Sequence, residues 1–153
     1  MKVEENYKKI FVKQHGDFAC GLACLAMIIK YHGGDARQED LRSISGTTLQ
    51  GTSLLGLYQA ATKLNFTANG YEADINSLKS IPVPVILHVV KYHNAEHYMV
   101  CFGFEDGKFI IGDPGWGILK MSESEIDAIW KSKTLLKLEP TEKFEKVVSK
   151  KKR

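Results

Sequence analysis

Cysteine and proline are both scarce in this 153-residue chain, at three and four residues. The three cysteines, Cys20, Cys24 and Cys101, have no framework spacing, which excludes a disulfide-stapled scaffold and points to a reducing compartment. Cys20 and Cys24 lie one helical turn apart with no second Cys/His pair at ligand spacing, so neither a metal nor another cofactor is expected. No apolar stretch approaches the roughly 20 residues a membrane helix needs. The start, Met1-Lys2-Val3-Glu4-Glu5, lacks a signal-peptide apolar core, so direct membrane insertion by this segment is not expected. Neither sign of charge dominates. Much of the formal net charge of +3 comes from Lys150-Lys151-Lys152-Arg153, and the body is near neutral. There is no basic stripe with interleaved aromatics, so nucleic acid is not an expected partner. Hydrophobic content of 44% with 25% charged residues fits an ordinary globular chain, most simply one domain.

What the chain does have is concentrated in Gln14-His15-Gly16-Asp17-Phe18-Ala19-Cys20-Gly21-Leu22-Ala23-Cys24. Cys20 opens an apolar run, Leu22 to Ile29, with no β-branched residue before Ile28, and the run reads as a helix. At a helix N-terminus the unpaired N–H groups and the macrodipole favour a thiolate over a thiol. Gln14, six positions upstream, could aim an amide N–H at the same place, as an oxyanion hole requires. The pattern suggests a cysteine nucleophile.

The first half reads as helices. A lead-in over 1–13 precedes a helix from about Ala19 to Tyr31, apolar on nearly every side and stopped by His32-Gly33-Gly34. Asp35 is the expected cap of a short helix through Ser43, and Thr52 or Ser53 of another through about Leu64. The second half reads mainly as strands: Phe66–Tyr71; 83–90, with Pro84 confining it to an edge or to its first positions; His97–Phe104; Lys108–Gly112; Ile118–Met121; and Thr134–Leu138. A helical turn is expected over Asp74–Lys79. Ser122-Glu123-Ser124-Glu125 is a capping box for a helix to Trp130. Helices first and an antiparallel sheet second predict an α+β fold with the two layers packed together.

A thiolate needs a base, and the base needs an orienting acceptor. Of five histidines, His15 and His32 fall in loops, His88 within a strand and His93 in a polar turn. His97 opens a strong strand, where a side chain is held rigidly yet faces a cleft. With Glu105-Asp106-Gly107 as the pivot of a hairpin, position 97 lies opposite roughly 113–115, which puts Asp113 beside His97. Alone, Asp113 would read as an Asx-turn residue before Pro114-Gly115. Cys24 and Cys101 read as small buried hydrophobes. Trp116 and Tyr98 are candidate cleft walls, though Trp116 could equally cap the core. Leu54 and Leu55, in the apolar stretch Leu49–Leu55, are candidates for a substrate groove or for ordinary core.

Three blocks together, Gln14-x5-Cys20-Gly21-x-Ala23-Cys24-Leu25-x-Met27, His97-Tyr98-Met99-Val100 and Asp113-Pro114-x-x-Gly117, resemble the C39 peptidases. These are papain-like N-terminal domains of bacteriocin-processing and exporting ABC transporters. The resemblance spans about residues 7–139. It departs where many members carry an aspartate directly before the nucleophile, since Ala19 stands there and Asp17 lies two residues earlier. It implies a papain-like fold with a helical N-terminal half packed on a C-terminal antiparallel sheet. It also implies cleavage of peptide precursors after a double-glycine-type motif (Gly-Gly, Gly-Ala or Gly-Ser), with the leader bound partly as an amphipathic helix. Carried over, Cys20 is the nucleophile, His97 the general base and then acid, Asp113 the orienter, and Gln14 an oxyanion donor beside the Cys20 N–H. The expected partners are the leader of a precursor and the transmembrane and ATP-binding domains of a parent transporter. The expected location is the cytosolic side of the bacterial cell membrane, with 1–140 as the peptidase domain and 141–153 as a truncated linker. Two alternatives remain: a C39-like domain that binds a transported substrate without cutting it, and another acyl transfer such as transglutamination or deamidation.

Overall fold

A computed structural model of the chain describes residues 3–16, 18–47, 51–82 and 84–144. Asp17, Leu49, Gln50, Val83 and the Lys150–Arg153 tail of the sequence reading lie outside the described residues. The apolar run becomes helix α2, Cys20–Tyr31, in which every residue from Gly21 to Ile29 is buried. Its sequence offers no polar face to water, so it must be surrounded. Helices α3, Gln38–Ser45, and α4, Leu54–Lys63, pack around it, and a sheet closes the other side. α2 ends at His32, whose backbone N–H returns to the Ile28 and Ile29 carbonyls, and Gly33 follows in the left-handed region at φ 89°.

The sheet has six strands, all antiparallel, in the order β1 (Phe66–Glu72), β6 (Thr134–Pro140), β2 (Val85–Lys91), β3 (Ala95–Glu105), β4 (Lys108–Asp113) and β5 (Gly117–Met121). Pro84 immediately precedes β2, so its missing N–H leaves the strand intact, and β2 pairs on both sides rather than lying at an edge. Alternation divides the apolar residues of β3 into two sets. Tyr98, Val100 and Phe102 join the core beneath α2 and α4. Met99 and Cys101 join a second core with Trp130, Leu78 of α5 (Ile75–Ser80) and Ile126 of α6 (Glu123–Ile129). The sheet is therefore covered on both faces, one helical layer more than the two-layer reading.

The expected capping box is present, with Ser122 Oγ accepting from Glu125 N–H and Glu125 reaching back to Ser122 N–H. Ser53 caps α4 and Asp74 caps α5. Asp35 does not cap α3. The N-cap position of that helix falls two residues later, at Arg37, with no side-chain cap, because Gln38 is drawn down to the Lys13 carbonyl and the His15 N–H instead. The lead-in also contains a helix, α1, Val3–Lys8, which packs against β5.

Gly56 marks the closest approach of α4 to α3, since a Cβ there would run into the Ser45 carbonyl oxygen. Gly to Ala in a helix interior ordinarily gains up to about 1 kcal/mol. Here Gly56→Ala is expected to lower stability by about 1–3 kcal/mol, because backbone rather than a flexible side chain must yield. Urea denaturation against the parent checks the sign.

Candidate active site

Cys20 is the first residue of α2 and is partly exposed. The N-cap residue, Ala19, makes no side-chain cap, so no side chain competes at the first N–H groups of the helix. His97, the third residue of β3, is 5% exposed, and Asp113, the last residue of β4, is 0% exposed. The β3–β4 ladder runs from Glu105 opposite Lys108 to Val100 opposite Gly112, with a bulge between Cys101 and Gly103. That pairing brings His97 Nε2 to 2.7 Å from Asp113 Oδ1. The Cys20 side chain also lies close enough to His97 to favour the imidazolium. Cysteine, histidine and aspartate are thus joined in sequence by side-chain contacts.

Burial alone would lower the His97 pKa, but the hydrogen bonds to Asp113 and Cys20 and the charge of Asp113 outweigh it, and the imidazole is raised to about 9. Burial pushes the Asp113 carboxyl up, yet the hydrogen bonds from His97, Lys91 and the Gly115 N–H win and hold it well below the usual carboxylate range. Cys24 and Cys101 are fully enclosed, and burial raises both thiols, Cys101 to about 12. Both sit in apolar core as neutral thiols.

Gln14 lies beside the turn after β4, its backbone N–H donating to the Pro114 carbonyl at 2.9 Å. Its amide Nε2 donates to the Gly16 carbonyl at 2.7 Å, and its Oε1 is buried without a partner. Gln14, Gly115 and His97 line a cleft of about 290 Å³ together with Tyr92, Ala95 and Glu96. The proposed walls separate. Trp116 is 72% exposed in the turn that follows Asp113, whereas Tyr98 is 8% exposed and packs into the core beneath α2, and neither is among the residues lining this cleft. Leu54 and Leu55 are outside it too. With Tyr58, Gly70 and Leu136 they line a second, mainly apolar groove of about 290 Å³. Leu55 is 63% exposed, so it is not core.

Two residues of the site were not picked out from sequence. Lys91 Nζ donates to Asp113 Oδ2 at 2.6 Å, and Tyr92 Oη donates to the same oxygen at 2.8 Å. They belong to the polar turn expected before His97, but nothing in their spacing says that their side chains cross to β4. Among the described residues no group of three or more His, Cys, Asp or Glu side chains could hold a metal ion, and no helix is long and apolar enough to cross a membrane.

A papain-like α+β fold with this Cys-His-Asp arrangement defines a class, the cysteine peptidases. Residues 8–143 match the Peptidase C39 family, and the chain belongs to that family. It is 35% identical over 147 residues to the pediocin PA-1 transport/processing ATP-binding protein PedD of Pediococcus acidilactici, covering 94% of this chain and 20% of that protein. The peptidase domain of Streptococcus ComA, a bi-functional ABC transporter, superposes with a TM-score of 0.80 at 33% identity, covering 88% of this chain and 99% of that domain. A double-glycine-motif protease from an AMS/PCAT transporter, solved with its leader peptide, gives 0.77 at 29% identity over 86% of this chain and 91% of that one. The chain spans about a fifth of the length of PedD. By contrast, an uncharacterized protein of Methanothermobacter marburgensis, 26% identical over 128 residues, is covered over 87% of its length.

The proton on His97 links the site to stability. The folded protein keeps it up to about pH 9, whereas an unfolded histidine releases it near 6.5. The stability from this group is therefore fully present below about pH 6.5 and lost as pH rises through 9, with a slope of at most about 1.4 kcal/mol per pH unit. Urea unfolding at pH 6.5 and pH 9 is expected to show that decline in the parent and a flatter dependence in His97→Ala.

Proposed function

We propose that this chain removes the leader from ribosomally made peptide precursors by cutting after a double-glycine-type motif, coupled to export. The observation that carries the reading is the contact chain from Cys20, at an uncapped helix start, through His97 to the buried Asp113. In this reading the Cys20 sulfur attacks the carbonyl carbon of the second small residue. The oxyanion is met by the Cys20 backbone N–H and by the Gln14 amide hydrogen that the Gly16 carbonyl does not use. His97 then protonates the departing amine, and the thioester forms. Water, deprotonated by the now neutral His97, attacks the thioester and frees the enzyme. Asp113 fixes the ring and stabilises its cation.

Two glycines offer no side chain to hold, so affinity must come from elsewhere. The groove of Leu54, Leu55, Tyr58, Gly70 and Leu136 fits the apolar face of a leader helix. That a related double-glycine protease was solved with its leader supports this source of substrate. We assign Trp116, exposed in the turn after Asp113, to the rim beside the catalytic cleft rather than to its lining. The relatives' ATP-binding and transport roles suggest transmembrane and ATP-binding domains as partners. They also suggest a place on the cytosolic side of the bacterial membrane, with 1–140 as the peptidase domain and 141–153 leading to the next domain.

Cys20→Ala is expected to abolish release of the leader from a double-glycine precursor while circular dichroism stays unchanged, and Cys24→Ala to retain most activity. Gln14→Ala is expected to lower kcat roughly a hundredfold. An active Cys20→Ala variant would overturn the assignment. Binding of precursor without any cleavage by the parent would favour the non-cutting alternative.

Leu55→Asp tests the groove. It should raise KM for full-length precursor at least tenfold with kcat little changed, and should leave unaffected the slow cleavage of a short peptide spanning only the Gly-Gly bond. Equal KM in variant and parent removes the groove from the reading.

A further inference from the structure

The hairpin between β2 and β3 turns on three successive non-glycine residues in the left-handed region, Tyr92, His93 and Asn94, at φ 50°, 65° and 67°. Each is a sterically unfavourable conformation that persists only where surrounding contacts over-determine it. Those contacts converge on Asp113. Lys91, at the end of β2, and Tyr92, at the start of the turn, both donate to Oδ2, while Oδ1 takes His97 and the Gly115 N–H. The Tyr92 ring meets the His97 imidazole edge-on, centroids 5.1 Å apart, and the Lys91 ammonium lies 4.9 Å from the Tyr92 centroid. The tip of the hairpin thus covers the His97–Asp113 bond and claims the second carboxylate oxygen.

The chemistry gives this arrangement a consequence. While His97 is an imidazolium, Asp113 has a cation on Oδ1. Once His97 hands its proton to a leaving group, a fully buried carboxylate faces a neutral ring, and an uncompensated buried charge is costly. Left alone, Asp113 would hold the imidazolium too tightly for it to serve as an acid. Lys91 and Tyr92 donate to Oδ2 independently of the proton on His97, since neither side chain is bonded to the ring. We propose that Lys91 and Tyr92 are positioning residues that hold Oδ2 of Asp113 as a fixed counter-charge, so that His97 releases its proton without leaving the carboxylate unpaired. This rests on the Cys20–His97 reading above. The groups facing His97 are Asp113 from β4, Cys20 from α2, Lys91 and Tyr92 from the hairpin, and Glu96 beside it on β3, which is tied to His88 at 3.0 Å. Tyr98 and Cys24 lie behind, and burial keeps both neutral.

The test is the pH dependence of Cys20 alkylation by iodoacetamide, followed on the Cys20 peptide by mass spectrometry. It reads the Cys20–His97 ionisation without any precursor, so a parent that alkylates normally but cleaves nothing would fail the leader-peptidase reading and leave this one intact. Removing a positive charge favours the imidazolium. In Lys91→Met the step assigned to His97 is expected to move up by about one pH unit. Lys91→Arg should restore the parent's profile, and Tyr92→Phe should move the step in the same direction by less. With precursor, kcat of Lys91→Met should fall about tenfold at unchanged KM, the mark of a step after binding. A parent-like profile in folded Lys91→Met, or an equal displacement in Lys91→Arg, rejects the counter-charge. Should Lys91→Met not fold, Tyr92→Phe, which keeps ring and volume, decides, and an unmoved profile there rejects the proposal.

Discussion

A carboxylate with no access to water must find its donors within the protein, and Asp113 is such a group. Its donors come from three separate pieces of chain: the Lys91–Tyr92 end of the β2–β3 hairpin, His97 at the start of β3, and the Gly115 N–H in its own turn. Satisfying one side chain therefore fixes the relative placement of a hairpin tip, a strand start and a strand end. The catalytic cleft lies where those pieces meet. Gln14 joins through the Pro114 carbonyl, so the lead-in segment is tied to the same turn.

The other half of the site depends on α2. A helix apolar on every side is stable only when enclosed, and enclosing it between α3, α4 and the sheet leaves Cys20, at its N-terminus, partly exposed. Cys20 is thereby held on a rigid element against His97, while Cys24, one turn further in, is sealed in core. Two thiols four residues apart differ in exposure because the helix carries one to the surface of the core and the other into it.

The apolar groove shares no lining residue with the catalytic cleft. It lies between the start of α4 and strands β1 and β6, and Gly70 and Leu136 face each other in the β1–β6 register. In the proposed reading, recognition and catalysis are built on different parts of one sheet, as suits a substrate whose scissile residues have almost no side chains.

Much was legible locally. The apolar run of α2, the Ser53 and Asp74 caps, the Ser122–Glu125 box and the β3–β4 hairpin all follow from short-range rules, and the last of these suffices to bring Asp113 alongside His97. Asp35 misled because a cap residue competes with tertiary demand, and Gln38 had contacts to make with Lys13 and His15. Tyr98 falls on the opposite face of β3 from its neighbour His97, because adjacent strand residues alternate, and its ring joins the core beneath α2. The sequence by itself determined the α+β order of elements and the residues able to act as nucleophile, base and orienter, since periodicity, capping and register are set within a few residues of chain. Only the tertiary structure decided that Lys91 and Tyr92 share Asp113, that Leu55 faces a groove rather than the core, and that the sheet is covered on both faces. Those depend on which surfaces meet across long stretches of sequence, and no local pattern encodes the direction of a side chain that crosses from one strand to another.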